Sequence, residues 1–265
     1  GAVLPRDCEH SEDFAAHTDA RVEFYGPGAE DGVEQAQLGA DGMSFLWHGH
    51  VMRTGIWGEH NFANVLAAVT AADAMGIEPP AIALGLERAV APPGRLEEIE
   101  NTLGCRIYVD YAHTDSALKA VLLGLRQITP GRLITVFGCG GDRDRQKRPR
   151  MGRIGEELSD KVILTSDNPR SEDPSQILDE IASGMERPFA AAMIVDRRDA
   201  IALALRMSKP GDAILIAGKG HEGYQEIQGK RIDFDDRDVT REIVEMLQEE
   251  NREEARKEEA RKAKG

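Results

Sequence analysis

At 265 residues, with 41% hydrophobic and only 5% aromatic content, the chain has the size and make-up of one large or two small α/β domains, not of a disordered or disulfide-built protein. A net charge of −14 argues against a nucleic-acid groove, because holding a phosphate backbone takes concentrated Lys and Arg. No stretch approaches the ~20 apolar residues of a membrane span and no signal peptide opens the chain, so the expectation is a cytoplasmic protein with neither nucleic-acid nor membrane partners. Cys8, Cys105 and Cys139 are widely spaced and match neither a zinc pattern nor a disulfide framework; no metal site is expected.

In chain order, residues 1–57 read as short strands and turns. Arg21-Val22-Glu23-Phe24, Met43-Ser44-Phe45-Leu46 and His50-Val51-Met52-Arg53 suggest a meander or hairpin edge. His48 and His50 flank Gly49, but two turn histidines without a third ligand read as structural. From Asn61 the pattern turns helical, with Ala63, Ala67, Ala68, Ala71 and Ala72 around Val65, Leu66 and Val69 and Gly76 as the stop. A second helix over 81–89 ends before Pro92-Pro93-Gly94, which reads as a linker and a domain boundary.

Beyond Gly94 the order strand, polar loop, helix repeats. Strands over 106–109, 133–137, 162–165, 193–195 and 213–217 alternate with helices over 116–127, 151–158, 175–184 and 198–208. This predicts a doubly wound, mostly parallel α/β sheet of the Rossmann-like kind. A hairpin around Gly229 follows, then a helix from near Arg237. Beyond Leu247 there is no apolar face, but Glu253 precedes Lys257, and Glu258 precedes Lys262, at helical spacing, so 251–265 reads as a charged, solvated helical tail.

In a parallel sheet the loops after the strands share one edge, where such sheets bind ligands. Thr165-Ser166-Asp167-Asn168-Pro169-Arg170 ends one strand. Pro169 bars helix at Asn168, leaving an acid, an amide and a guanidinium on a stiff loop suited to an amino acid's ammonium and carboxylate. The competing reading is an ordinary strand-to-helix loop with Asp173 or Ser175 capping the next helix. Gly138-Cys139-Gly140-Gly141-Asp142-Arg143-Asp144 could bring backbone amides close to an anion, with Arg143, Arg145, Lys147 and Arg148 adding positive charge; a plain glycine turn is the alternative. It has no dinucleotide fingerprint, and a G-x-x-x-x-G-K-[ST] loop occurs nowhere in the chain. Gly218-Lys219-Gly220-His221-Glu222 offers a cation, a base and an acceptor for an ammonium. Asp110 and His113 share a loop, as an acid–base pair or a structural one.

Six segments then fall into a known order and approximate spacing: Gly58-Glu59-His60-Asn61-Phe62-Ala63-Asn64, Gly94-Arg95-Leu96-Glu97, Val109-Asp110-Tyr111-Ala112-His113-Thr114, residues 138–148, Asp167-Asn168-Pro169-Arg170 and residues 218–222. Over most of its length the chain resembles the Mur ligases, ATP-dependent amide-bond-forming enzymes of peptidoglycan synthesis. The resemblance implies an amino-acid-binding carboxyl-terminal domain over 94–250, preceded over 1–93 by the latter part of an α/β ATP-binding domain. It implies that ATP with Mg2+ phosphorylates a glutamyl carboxylate of a UDP-linked muropeptide, after which an amine of the incoming amino acid attacks the acyl phosphate. The Asp167-to-Arg170 segment looks like the family's meso-diaminopimelate motif. By resemblance, Arg143, Asp167, Asn168, Pro169, Arg170, Gly218 and Glu222 bind that amino acid, Asn64, Arg95 and Asp110 serve ATP, and Asp110, Arg95 and His113 act at the reaction.

Two features depart from the family pattern. After Thr114 the family motif continues with Pro, where this chain has Asp115. The family's P-loop, modified lysine and UDP-sugar-binding amino-terminal domain have no counterpart, so the chain alone is not expected to turn over ATP, and ATP and Mg2+ would be held largely by a further part. The alternatives are a non-catalytic diaminopimelate-binding or regulatory module, and a related ligase such as a folylpolyglutamate or cyanophycin synthetase, against which the Asp167-to-Arg170 segment argues.

Overall fold

The computed structural model describes residues 1–26, 33–39 and 41–262, which divide into two compact units, Gly1–Ala91 and Pro92–Gly265. The first unit runs β1 (Ala2–Pro5), α1 (Ser11–Ala16), β2 (Val22–Tyr25), β3 (Val33–Gly39), β4 (Gly42–Trp47), β5 (His50–Thr54), α2 (Glu59–Ala74) and α3 (Pro79–Glu87). β3, β4 and β5 form an antiparallel meander, but β2 is not part of it: β2 pairs in parallel with β1. The expected grouping of the 21–24 segment with the other two is therefore corrected. Ala-Val-Leu-Pro has no alternation to announce β1, and its partner lies about twenty residues away, beyond the reach of a local pattern.

β4 shows why the remainder is legible. Met43, Phe45 and Trp47 alternate into a core with Met52 of β5, Val65, Leu66 and Val69 of α2, and Ile82 and Leu86 of α3. His48 and Gly49 form the two-residue β4–β5 turn, both at positive φ (45° and 77°), which the right-handed twist of a hairpin requires. The His48 ring packs edge-on against Trp47 at 4.8 Å. α2 stops at Gly76 (φ 78°), where Gly76 N–H donates to Asp73 O (2.8 Å) and Ile77 N–H to Ala72 O (3.1 Å), satisfying two end carbonyls.

The second unit runs β6 (Glu97–Glu98), β7 (Arg106–Asp110), α4 (Asp115–Ile128), β8 (Leu133–Phe137), α5 (Lys147–Leu158), β9 (Lys161–Leu164), α6 (Pro174–Ala182), β10 (Ala192–Met193), α7 (Arg197–Met207), β11 (Ala213–Ala217), β12 (Tyr224–Ile227), β13 (Lys230–Asp233) and α8 (Asp236–Lys262). Its sheet has the order β10-β9-β8-β11-β7-β6, parallel throughout except for β6 against β7. From β7 to β10 the chain moves in one direction, and from β10 to β11 it returns. Right-handed crossovers therefore place α4, α5 and α6 on one face and α7 on the other, where α8 joins it. On that second face Ile107, Val109, Ile134, Val136, Ile163, Ile214 and Ile216 meet Ala200, Ile201, Ala204 and Leu205 of α7 and Val239, Ile243, Val244 and Leu247 of α8. Because both faces are covered, β8 and β11 are buried at every position, which is why they read as apolar runs, broken in β8 by Thr135.

β11 enters between β7 and β8. The loops of β7 and β8 lead to one face and that of β11 to the other, so a crevice opens at their carboxyl ends. α8 continues as a single helix to Lys262, although its apolar positions end at Leu247; Lys257 lies 3.6 Å from Glu253. The Glu258 side chain and residues 263–265 lie outside the described residues. Among the described residues no helix is long and apolar enough to cross a membrane.

One buried ion pair ties the carboxyl edge together. Arg197, opening α7, donates from Nε and Nη2 to the two carboxylate oxygens of Asp236, opening α8, at 2.7 and 2.8 Å. It also donates to Ala217 O at the end of β11 (2.9 Å) and to Ser166 O after β9 (3.2 Å). Neither side chain of the pair is exposed. Removing one partner leaves a buried charge uncompensated, at a cost of about 3 to 5 kcal/mol. Arg197→Met is therefore expected to lower the stability of Pro92–Gly265 by that amount in urea unfolding, and Asp236→Asn by a comparable one; an unchanged midpoint for both would show that the pair is not a keystone.

Candidate functional site

The strand order sets the loops after β9, β8, β11 and β7 side by side, and glycines allow them to touch. A Cβ on Gly138 would overlap Thr165 O and one on Gly141 would overlap Pro169 O, so the loop after β8 lies backbone to backbone against residues 165–169. These glycines are used for contact between neighbouring loops. Gly218 (φ 117°) has the same role toward Asp167, whose Oδ2 would be 2.6 Å from a Cβ placed there.

The expected concentration of positive charge after β8 is corrected by pairing. Arg148 is fully buried and donates from Nη1 to Glu172 and Glu180 (2.8 Å each), and from Nη2 to Glu172 (2.8 Å) and Gly140 O (3.1 Å). Arg145 also pairs with Glu180. Arg143, which donates to Asp142 O (2.9 Å), and Lys147, which donates to His113 O (2.8 Å), have no carboxylate partner among the described residues. The hydrogen bonds from Arg148 hold the Glu172 carboxyl at about 2. Burial pushes the Cys139 thiol up to about 12, so it stays protonated and inert.

Asp167, Asn168 and Arg170 differ in what they leave free. The Asp167 carboxylate, 7% exposed, accepts no hydrogen bond among the described residues, while its carbonyl accepts from Gln225 Nε2 (2.9 Å). Asn168 is committed to the protein: Oδ1 accepts from Lys219 Nζ (3.2 Å) and Glu226 N–H (3.0 Å), and Nδ2 donates to Glu222 Oε2 (2.8 Å). Pro169 accepts at its carbonyl from Glu172 N–H (3.0 Å). Arg170 has positive φ (52°) and a backbone bridged to Ile227 at the end of β12. Its Nη1 donates to Gly141 O (2.8 Å), and its Nε lies 3.8 Å from Glu226. The capping role also exists in this loop, since Asp173 accepts from Ser175 N–H (2.8 Å) at the start of α6.

After β7, Asp110 is buried and occupied by backbone. Oδ2 accepts from Leu96 N–H (2.8 Å), Oδ1 from Ala112 N–H (2.7 Å), and its carbonyl from Gly218 N–H (3.0 Å). Tyr111 gathers Arg95, 4.6 Å above its ring, with His113 at 4.6 Å and His221 at 5.4 Å between centroids. His113 Nδ1 lies 2.9 Å from Tyr111 O. Thr114 caps α4 through Ala117 N–H (3.3 Å), and Asp115 takes the first helical position, where an acid suits the helix dipole as the family's Pro suits its geometry. Asn64 belongs to the other unit, on an exposed face of α2, with its Nδ2 donating to Asn61 (3.3 Å). No group of three or more His, Cys, Asp and Glu converges among the described residues to hold a metal, so no step is derived through Mg2+.

The structure thus brings Arg143, Asp167, Asn168, Pro169, Arg170, Gly218 and Glu222 onto adjoining loops, with Asp110 at the end of β7, His113 in the loop that follows it and Arg95 on the turn before β6. It places Lys219, expected only as the cation of its glycine loop, among these side chains, and it adds Gln225 and Glu226, to which the sequence assigned no role. Lys219 had a visible signal, a lysine between two glycines after an apolar strand. Gln225 and Glu226 had none, because their partners lie nearly sixty residues away.

This fold and loop arrangement are those of a known class. Residues 94–220 match the family described as "Mur ligase, glutamate ligase domain". The chain is 40% identical over 250 residues to the UDP-N-acetylmuramoyl-L-alanyl-D-glutamate–2,6-diaminopimelate ligase of Solibacter usitatus, covering 92% of this chain and 51% of that protein. It is 50% identical over 188 residues to the protein of the same name from Gloeobacter violaceus, covering 71% and 38%. A solved structure of a ligase with that name superposes with a TM-score of 0.63 at 33% identity, covering 93% of this chain and 53% of the other. The chain belongs to the Mur ligase family. It spans about half the length of the Solibacter usitatus ligase and of the protein in that solved structure.

The Arg148–Glu172 contact generates a pH prediction. Since the folded Glu172 value lies below the ordinary 4.5, its stabilising contribution is complete above about 4.5 and is lost as pH falls toward about 2. Melting temperature against pH should fall less steeply across that window in Glu172→Gln than in the unmodified chain.

Proposed function

We propose that this chain is the amino-acid-selecting part of an ATP-dependent ligase that joins meso-diaminopimelate to UDP-N-acetylmuramoyl-L-alanyl-D-glutamate. The observation that carries this reading is the charge pattern at the carboxyl edge of the sheet. Among the described residues the Asp167 carboxylate has no hydrogen-bond partner, Glu222 receives protein donors only at Oε2, and Arg170 keeps guanidinium donors beyond the one given to Gly141 O. Diaminopimelate carries two ammonium and two carboxylate groups. Two acceptors and a guanidinium match that set better than they match a lysine, and Arg143 provides a further exposed cation for a carboxylate.

Within this reading Asn168 orients rather than grips, because its amide is taken up by Lys219, Glu222 and Glu226. Asp110 holds the loop after β7 against Gly218 and the turn at Leu96, which shapes the nucleotide-facing side of the site. Arg95, on the Tyr111 ring, is the exposed cation of that side. ATP supplies the phosphoryl group that activates the glutamyl carboxylate. The phosphate loop for it is not encoded in these residues, so turnover calls for a further part of the protein.

Selection against lysine follows from Arg170. Lysine lacks the distal carboxylate, and a site built for a polar group left unpaired loses about 2 to 5 kcal/mol. Calorimetry of Arg170→Ala is expected to show meso-diaminopimelate affinity lower by on the order of 100-fold, with lysine affinity nearly unchanged and the circular dichroism spectrum preserved. Retained diaminopimelate affinity in the folded variant would remove the assignment.

A further inference from the structure

Lys219 has no exposed surface, a rare placement for a lysine. Its ammonium is nevertheless well partnered. Nζ donates to Asn168 Oδ1 after β9 (3.2 Å) and to Glu222 Oε2 (3.4 Å), and it lies 5.5 Å from the centroid of the Tyr224 ring in β12. Burial pulls its pKa below the ordinary lysine value, opposed first by the charge of Asp167; Arg197 adds to the lowering, while Asp236 and Glu222 oppose it. With its partners all in the protein and no surface of its own, Lys219 cannot touch a ligand. It reaches the site only through the groups it holds.

Those groups are the acceptors on which amino-acid binding depends. Asn168 Nδ2 and Lys219 Nζ both converge on Oε2 of Glu222, whose side chain is 22% exposed and whose Oε1 has no hydrogen-bond donor among the described residues. Asp167 and Glu222 are like charges acting on the same ammonium. Remove it, and Glu222 Oε2 loses one of its two donors, while Asn168 loses one of the two donors that fix its Oδ1.

We infer that Lys219 is a positioning residue for amino-acid binding: its buried ammonium holds Asn168 and orients the Glu222 carboxylate to accept the ligand's ammonium. The inference rests on the amino-acid reading above and deepens it. A residue that acts through Glu222 must lose its effect when Glu222 can no longer accept an ammonium, whereas a residue that only supports the fold must not.

A double-mutant cycle separates the two. In the full chain, Lys219→Met is expected to weaken meso-diaminopimelate binding roughly 10-fold in calorimetry, but less than about 2-fold in a Glu222→Gln background. Its melting temperature is expected to fall, because the carboxylates that face the ammonium lose their partner, so affinities are compared at a temperature where circular dichroism shows both variants folded. In the ligand-free chain the Asn168 side-chain amide resonances should shift in Lys219→Met. Equal losses in both backgrounds, unchanged affinity, or unmoved Asn168 resonances would overturn the inference. If the unmodified chain binds no diaminopimelate, the amino-acid reading falls, and the Asn168 resonances alone decide whether Lys219 positions its neighbours. Should Lys219→Met fail to fold, Lys219→Gln, which keeps a donor without the charge, is carried through the same cycle.

Discussion

The guanidinium of Arg197 is where four separate stretches of the second unit meet. It has to satisfy the carboxylate of Asp236 and the carbonyls of Ala217 and Ser166 at once, in a place with no exposure to water. A buried charge of this kind tolerates little slack, because each lost partner exposes the full desolvation cost of the others. The starts of α7 and α8 and the ends of β9 and β11 are consequently held in one arrangement. The loop with Asp167 and the loop with Lys219 leave the sheet from fixed points, and their side chains inherit that order.

Charge is distributed over the carboxyl edge in two classes. Arg148, Arg145, Glu172 and Glu180 form a closed set beneath the loop after β8, pairing with one another and bracing its backbone. Asp167, one oxygen of Glu222 and most of Arg170 are left without hydrogen-bond partners among the described residues. The closed set makes the open one possible, since the glycine loop packs directly on residues 165–169 and Arg148 supports it through Gly140 O. Lys219 belongs to both classes, paired internally yet acting on the acceptors that face outward.

Parts of the site were readable because their signal is local. Pro169 keeps the residue before it out of a helix, glycine clusters announce close backbone approach, and mostly apolar runs announce strands buried on both faces. The roles of the polar residues were less readable. Arg143 and Arg148 look alike in a basic loop, yet one is exposed and the other is enclosed by Glu172 and Glu180, which follow 24 and 32 residues later. Asp110 looks like a catalytic acid, yet both its oxygens accept from backbone amides, one of them 14 residues upstream. β1 and β2 show the same limit in the first unit, where a parallel pair depends on a partner that no hairpin signal marks.

The sequence by itself determined the alternation of strands and helices, a break in the chain at Pro92-Pro93-Gly94, and the polar loops that follow the strands, because periodicity, proline and glycine act over a few residues. Its six ordered motifs also carried the resemblance to the Mur ligases. Only the tertiary structure decided that β11 lies between β7 and β8, that Arg197 and Asp236 form the buried pair, and which polar groups are spent on one another. Those outcomes depend on contacts between residues tens of positions apart, where burial and pairing set the energy and no local pattern records the partner.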